Sequence, residues 1–262
     1  MTPSHPAYGE LRRVSPVTAV LLERNPSPMT LEGTNSWIVR ARDDAPCVVI
    51  DPGHDDHDHL ERLAAAAGEV ELVLLTHHHP DHAEGASRFA DQVRAPVRAF
   101  APAQCHGAGP LVDGEVVAAG ELVIRVLHTP GHTADSVTFV LDRPERSHVF
   151  TGDTILGRGT TVLSDLGEYL YSLRLLSELP GGALGLPGHG AELGDLTGTV
   201  REYLEHRQQR LDQIRQALRV LGRDASARAI VEYVYSDTDP ALWGAAEESV
   251  RAQLDYLRTR PE

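Results

Sequence analysis

The feature that most constrains this chain is the run THHHPDH at 76–82, which follows directly on the apolar stretch ELVLL. A short β-rich run that breaks into polar residues reads as a strand ending at a sheet edge. In extended backbone, residues two apart face the same side, so His77 and His79 can present their imidazoles to one ion while His78 points away. Asp81 and His82 follow Pro80 at the start of a helical stretch, from which they reach a neighbouring position. One turn thus offers ligands for two metals.

Taken alone, a histidine run can be a solvated loop. Here the same pattern recurs along the first two-thirds of the chain, in SWIVRA, CVVIDPG, ELVLLTH, ELVIRVLHTPGH, SVTFVLD, HVFTGD and ALGLPGH. Each is a short strand-like run ending in a polar, often glycine-containing segment. Three of those endings carry His132 (TPGHT), Asp153 (TGDT) and His189 (PGHG). Residues delivered to one sheet edge by several strands converge although they lie far apart in sequence. The remaining histidines lack such neighbours. His54, His57 and His59 in DPGHDDHDHL read as a solvated acidic loop that starts a helix, and His106, His128, His148 and His206 as structural or exposed.

Helical periodicity appears at about 56–67, 83–92 and 165–178, the last with Leu166, Leu170, Leu173 and Leu176 in phase. Strands alternating with helices predict an α/β fold of sheets flanked by helices. After residue 195 the character changes to a long charged amphipathic helix, with Gly222 as its stop, and two further helical segments, SARAIVEYVY and WGAAEESVRAQLDYLRTR. Asp239 with Pro240 is expected to open the last of them. The predicted division is residues 1–195 as a catalytic unit and 196–262 as a small helical one.

These residues resemble the metallo-β-lactamase superfamily, whose HxHxDH signature and three downstream ligand motifs match over about residues 30–190. NPSPMTLEGTNSW, TGDTILGRGTTV and the helical tail further resemble the branch containing β-lactamase-like protein 2, with its winged-helix-like carboxy-terminal part. The resemblance implies a four-layer αβ/βα sandwich with two metals at one edge of facing sheets. It places His77, His79 and His132 at the first metal, Asp81, His82 and His189 at the second, and Asp153 between them. Asp51 in IDPG resembles the family's acidic residue that orients a metal ligand. All donors are nitrogen or oxygen, which suits two zinc ions and admits manganese or iron.

Such a site retains net positive charge after two carboxylates and a bridging hydroxide are counted, so it can lower the pKa of water to about 7 and attack a carbonyl without a serine or cysteine nucleophile. Asp81 is the expected catalytic group, orienting the nucleophile and shuttling a proton. Asn35, Thr160 and Thr161 are expected to touch substrate. The expected activity is hydrolysis of a small-molecule ester, thioester or amide, lactams included. The alternative is cleavage of single-stranded RNA at the same metals, which the β-lactamase-like protein 2 resemblance implies. A purely structural metal site would be closed by four ligands, and a mononuclear iron site would not need Asp81, His82 and His189 together.

Composition bears on that choice. The net charge is -14, which opposes general attraction of a polyanion, and only local arginines such as Arg158, Arg207, Arg210 and Arg215 could offset it. All 24 basic residues are arginine, which removes lysine Schiff-base chemistry. The two cysteines, Cys47 and Cys105, give no disulfide framework and no catalytic role. No stretch is apolar enough to span a bilayer, and the amino terminus lacks the apolar run of a signal peptide, so no membrane partner and a cytoplasmic location are expected.

Overall fold

The computed structural model describes residues 7–236, 239 and 242–259, so Pro240, assigned above to the start of the last helix, lies outside the described residues. Two sheets face each other. The first holds β1 (Leu11–Arg13), β2 (Thr18–Leu22), β3 (Asn35–Arg40), β4 (Cys47–Ile50), β5 (Val70–Leu74) and β6 (Val97–Arg98), hydrogen-bonded in chain order. The second has β7 (Val116–Ala119), β8 (Leu122–His128), β9 (Val137–Leu141), β10 (His148–Gly152) and β11 (Leu184–Pro187), again neighbouring in chain order.

The layering follows from the two-residue period of the strands. Val48, Ile50, Leu72 and Leu74 point inward and meet Phe139, Leu141, Phe150 and Leu186 of the opposite sheet in the central core, where Trp37 and Phe150 pack edge to face. Their sequence neighbours Cys47, Val49 and Val73 point outward onto α1 (His57–Ala67) and α3 (Ala86–Val93). On the second sheet Val140 and Val149 point outward onto α4 (Leu166–Ser177) and the first half of α5 (Leu196–Leu221). Continuous apolar runs such as CVVI and ELVLL are therefore strands buried on both faces. The result is the αβ/βα sandwich expected from the resemblance.

Parallel pairings occur where a helix carries the chain back: β4 with β5 across α1, β5 with β6 across α2 (Pro80–Ala83) and α3, and β10 with β11 across α4. This connectivity brings the ends of β4, β5, β10 and β11 to one edge. The second half of α5 packs with α6 (Ala227–Val234) and α7 (Trp243–Thr259) around Ile214, Ala217, Ile230, Val231, Val250 and Leu254. None of the described helices is long and apolar enough to cross a membrane. Cys47 is buried and its thiol is pushed up to about 11, chiefly by burial, so it stays protonated and inert.

Candidate active site

The seven residues singled out in the sequence lie together at that edge. His77, His79, Asp81 and His82 follow β5, His132 follows β8, Asp153 follows β10 and His189 follows β11. His77 Nε2 is 3.1 Å and His132 Nε2 3.0 Å from His79 Nδ1. On the other side His189 Nε2 is 3.1 Å from an Asp81 oxygen and 3.3 Å from His82 Nε2. Asp153 lies between the two groups, 3.5 Å from His82 Nε2, 3.7 Å from His132 Nε2 and 3.3 Å from His189 Nε2.

The second ring nitrogens reveal what the cluster is built to hold. His132 Nδ1–H donates to the Val162 carbonyl at 2.9 Å, His189 Nδ1–H to the Gly33 carbonyl at 3.1 Å, and His82 Nδ1–H to Asp51 Oδ2 at 2.9 Å. Thr76 Oγ1 gives its single proton to Asp51 Oδ2 at 2.7 Å and so accepts from His77 Nδ1–H at 3.0 Å. Each Nδ1 thus keeps its proton, which leaves the Nε2 atom of that ring facing inward. Lone pairs converging at about 3 Å repel unless a cation lies among them, the arrangement typical of metal-ligating histidines with oriented outer nitrogens. Asp153 Oδ1 is buried and has no hydrogen-bond partner, a second feature that fits a cation-binding role. Three groups, His77/His79/His132, His77/His82/Asp153 and Asp81/His82/His189, have ligand atoms close enough to grip an ion.

Electrostatics point the same way. Burial, reinforced by the neighbouring imidazoles, holds His77 well below its ordinary pKa and His79 at about 4, so both rings are neutral. For Asp153 and Asp81 burial acts upward, but the surrounding imidazoles outweigh it and keep both carboxyls well below the usual range. Burial likewise opposes charge on His82 and His189, yet the carboxylates raise His82 well above its ordinary value and His189 to about 9. Two ionised carboxylates in a buried setting thus demand positive charge and draw it onto the nearest rings; a cation meets the same demand.

Asp51, buried at a positive φ of 55°, takes the Thr76 amide at 2.8 Å as well as the Thr76 hydroxyl and His82. It therefore fixes the end of β5 and one ring together. His78 turns outward, about half exposed, to Asp135 at 2.6 Å. Asn35 is buried and donates to the carbonyls of Pro187 and Gly190 at 3.0 and 2.8 Å, bracing the turn that carries His189. Thr161 places its hydroxyl 3.0 Å from His132 Nδ1, and Thr160 is exposed beside it.

Two readings of the sequence need correction. His59 is not a solvated loop residue: it lies on the buried face of α1 with Leu60 and Leu63, its Nε2 2.9 Å from the Ser36 hydroxyl, and burial lowers its pKa to about 4. Arg207 is not available to a polyanion. It is buried, donates Nη2–H to the Thr161 carbonyl at 2.7 Å and lies over the Tyr169 ring at 5.1 Å. With Tyr203, whose hydroxyl donates to the Gly159 carbonyl at 2.7 Å, Arg207 clamps α5 onto the segment that orients His132. Arg207→Ala should lower unfolding free energy by about 2–3 kcal/mol, the size expected for a lost charged hydrogen bond plus a cavity. A urea midpoint indistinguishable from that of the parent would show the clamp to be idle.

A cleft of 770 Å³ opens over the cluster, with Met29, Pro80 and Leu163 on its walls and Glu248, Arg251, Ala252 and Asp255 of α7 opposite. The carboxy-terminal helix α7 therefore contributes to the wall of the site.

Comparison with known proteins agrees with this architecture. Residues 29–189 match the metallo-beta-lactamase superfamily model, and residues 226–260 match the beta-lactamase associated winged helix domain. The atrochrysone carboxyl ACP thioesterase of Aspergillus fumigatus is 34% identical over 228 residues, 84% of this chain and 71% of that protein. The lactamase-like protein nscB of Trichophyton equinum is 34% identical over 213 residues, 78% of this chain but 62% of that longer protein. Among solved structures, a beta-lactamase domain protein from Burkholderia ambifaria superposes with a TM-score of 0.81 at 22% identity, covering 98% of this chain and 90% of the other. A metallo-beta-lactamase family protein from Thermus thermophilus gives 0.77 at 22% identity over 94% and 95% of the two chains. At those identities the structures speak for the fold, while the matched family model and the sequence relatives carry the further conclusion that this chain belongs to the metallo-beta-lactamase superfamily and is a hydrolase.

Proposed function

We propose that the seven convergent residues hold two divalent cations, zinc in the first instance, and that the chain hydrolyses the carbonyl of a small-molecule ester, thioester or amide, lactams included. His77, His79 and His132 would hold one ion and Asp81, His82 and His189 the other, with Asp153 contributing its carboxylate between them. The observation that carries this reading is the set of inward Nε2 atoms on four histidines whose outer nitrogens are tied to fixed acceptors. When bound, two such ions acidify water and stabilise a developing oxyanion.

The chain's own residues supply the rest. Asp51 locks Thr76 and His82, and the Val162 and Gly33 carbonyls lock His132 and His189, so the donor set is held before substrate arrives. Asp81 is the more exposed of the two clustered carboxylates, 18% against 10% for Asp153, and is the one placed to take a proton from attacking water and return it to the leaving group. Met29, Pro80, Leu163 and Ala252 give the cleft an apolar lining suited to an acyl chain. Among carbonyl substrates a thioester comes first, since a relative covering most of this chain is named a thioesterase. The same reading keeps residues 1–195 as the catalytic unit and 196–262 as the helical unit that walls it.

RNA ranks below the carbonyl substrates because the arginines that could attract it are engaged. Arg158 pairs with Glu32 at 2.9 Å, Arg207 is buried, Arg210 lies over Tyr235 at 4.7 Å and Arg215 pairs with Asp212 at 2.9 Å. Zinc-loaded protein assayed on a lactam, a thioester and a short single-stranded RNA, from low to physiological salt, tests the ranking. Carbonyl hydrolysis that varies little with salt is expected; efficient, salt-tolerant RNA cleavage without carbonyl hydrolysis would reverse it.

A further inference from the structure

Outside the histidine–aspartate cluster, a second polar pair reaches the same cleft. Glu23, immediately after β2, is 2% exposed, yet its carboxylate accepts from His54 Nδ1–H at 2.8 Å and from the His54 amide at 3.3 Å. Gly53 leaves room for it: a Cβ there would lie 2.5 Å from Glu23 Oε2, and the backbone sits at a φ of +97°. The His54 side chain, by contrast, is 35% exposed and lines the cleft with His79, Asp81 and His189. The loop is anchored directly to the turn that carries the clustered residues, since Gly53 N–H donates to the His82 carbonyl at 3.2 Å and Gly85 N–H to the Gly53 carbonyl at 2.9 Å. Gly85 is required for that approach, because a Cβ there would meet the His54 carbonyl at 2.3 Å.

A buried carboxylate that binds Nδ1–H fixes the tautomer of the ring and leaves its lone pair on Nε2. Nε2 has no hydrogen-bond partner among the described residues, and the side chain that carries it is 35% exposed at the cleft. Burying a carboxylate is costly, and here the group oriented by it stands at the rim of the cleft rather than in the core.

We propose that the Glu23–His54 pair is a substrate-recognition subsite in which His54 Nε2 accepts a hydrogen bond from an N–H or O–H of the substrate's non-reacting arm. Glu23 is the positioning residue, acting only through the ring. The proposal rests on the carbonyl-hydrolase reading of the neighbouring cluster and adds to it a preference among substrates: a thioester whose thiol part carries an amide offers the required donor, while one with a plain alkyl thiol part does not.

The test compares acetyl-N-acetylcysteamine thioester with ethyl thioacetate, using zinc-loaded full-length protein. His54→Ala should lower the preference for the amide-bearing thioester, expressed as the ratio of kcat/KM values, about tenfold through KM, the scale of one net hydrogen bond. Metal content should stay at the parent's value. His54→Gln keeps an acceptor in place and should retain part of the preference, and Glu23→Gln should lose much of it by freeing the ring. An unchanged ratio in His54→Ala, or a loss of metal that accounts for the whole effect, overturns the proposal. If the parent hydrolyses neither thioester, the thioester reading fails instead, and calorimetric titration with the amide-bearing compound decides the subsite: about tenfold weaker binding to His54→Ala upholds it and equal binding removes it.

Discussion

Asp153→Ala should abolish turnover, by at least about 10³-fold, because it removes a carboxylate central to the charge balance of the proposed two-cation site. The expectation comes from its position. Asp153 is the only clustered residue whose oxygens lie within 3.7 Å of His82, His132 and His189 together, and its Oδ1 has no hydrogen-bond partner to compensate. Both cation sites should weaken, so metal content after dialysis should fall for the pair rather than for one ion. His78→Ala supplies the control. Its ring faces out to Asp135 and belongs to none of the three ligand groups, so metal content should match the parent. Equal loss of metal in the two variants would contradict the assignment of facing along the THHHPDH turn.

Gly131→Ala should be strongly destabilising for so small a change. An added Cβ would lie 2.4 Å from Tyr169 Cα and 2.5 Å from its amide nitrogen, and the residue adopts a φ of +126°, where side chains are strained. The contact is with helix backbone, which cannot rotate away. The Gly131 carbonyl also accepts from the Ser164 and Asp165 amides at 2.8 and 3.1 Å, so α4 and the turn carrying His132 would separate together. Combined overpacking and backbone strain place the cost at about 3 kcal/mol or more. Chemical denaturation and metal analysis should therefore fail in parallel; a variant within about 0.5 kcal/mol of the parent, the ordinary effect of a surface change, would show that the turn shifts without cost.

The parts of this fold that were legible in the sequence are those where local pattern and tertiary role coincide. CVVI, ELVLL and SVTFVL are apolar on both faces because both faces are buried, and the predicted helices fall at His57–Ala67, Ala86–Val93 and Leu166–Ser177. The site was legible for a related reason: its side chains stand at strand ends, so each comes with its own punctuation. β1, β2, β6 and β7 lie outside the strand-like runs read from the sequence. Leu11–Arg13 is exposed throughout, Val97–Arg98 has two residues, and Val116–Ala119 is a four-residue run without alternating residue types, so in these three pairing with neighbours rather than intrinsic pattern makes the strand, whereas TAVLL of β2 is itself a largely buried apolar run. Missing β2 hid Glu23, whose meaning depends on where that strand ends.

The two corrected residues share one cause. His59 stands in phase with Leu63 and Ala67 on α1, and Arg207 in phase with Tyr203, Leu211 and Ile214 on α5, so both lie on buried stripes. In each case helical phase, not residue type, decides burial. A polar residue on an apolar stripe is a group whose partner should be sought, and the partners are Ser36 and the Thr161 carbonyl.

The central claim is that seven side chains hold two cations, and elemental analysis of the purified protein with titration of the metal-depleted form tests it most directly. The account predicts close to two equivalents of divalent metal per chain, mainly zinc. A single tightly bound ion, with no second taken up on titration, would contradict it.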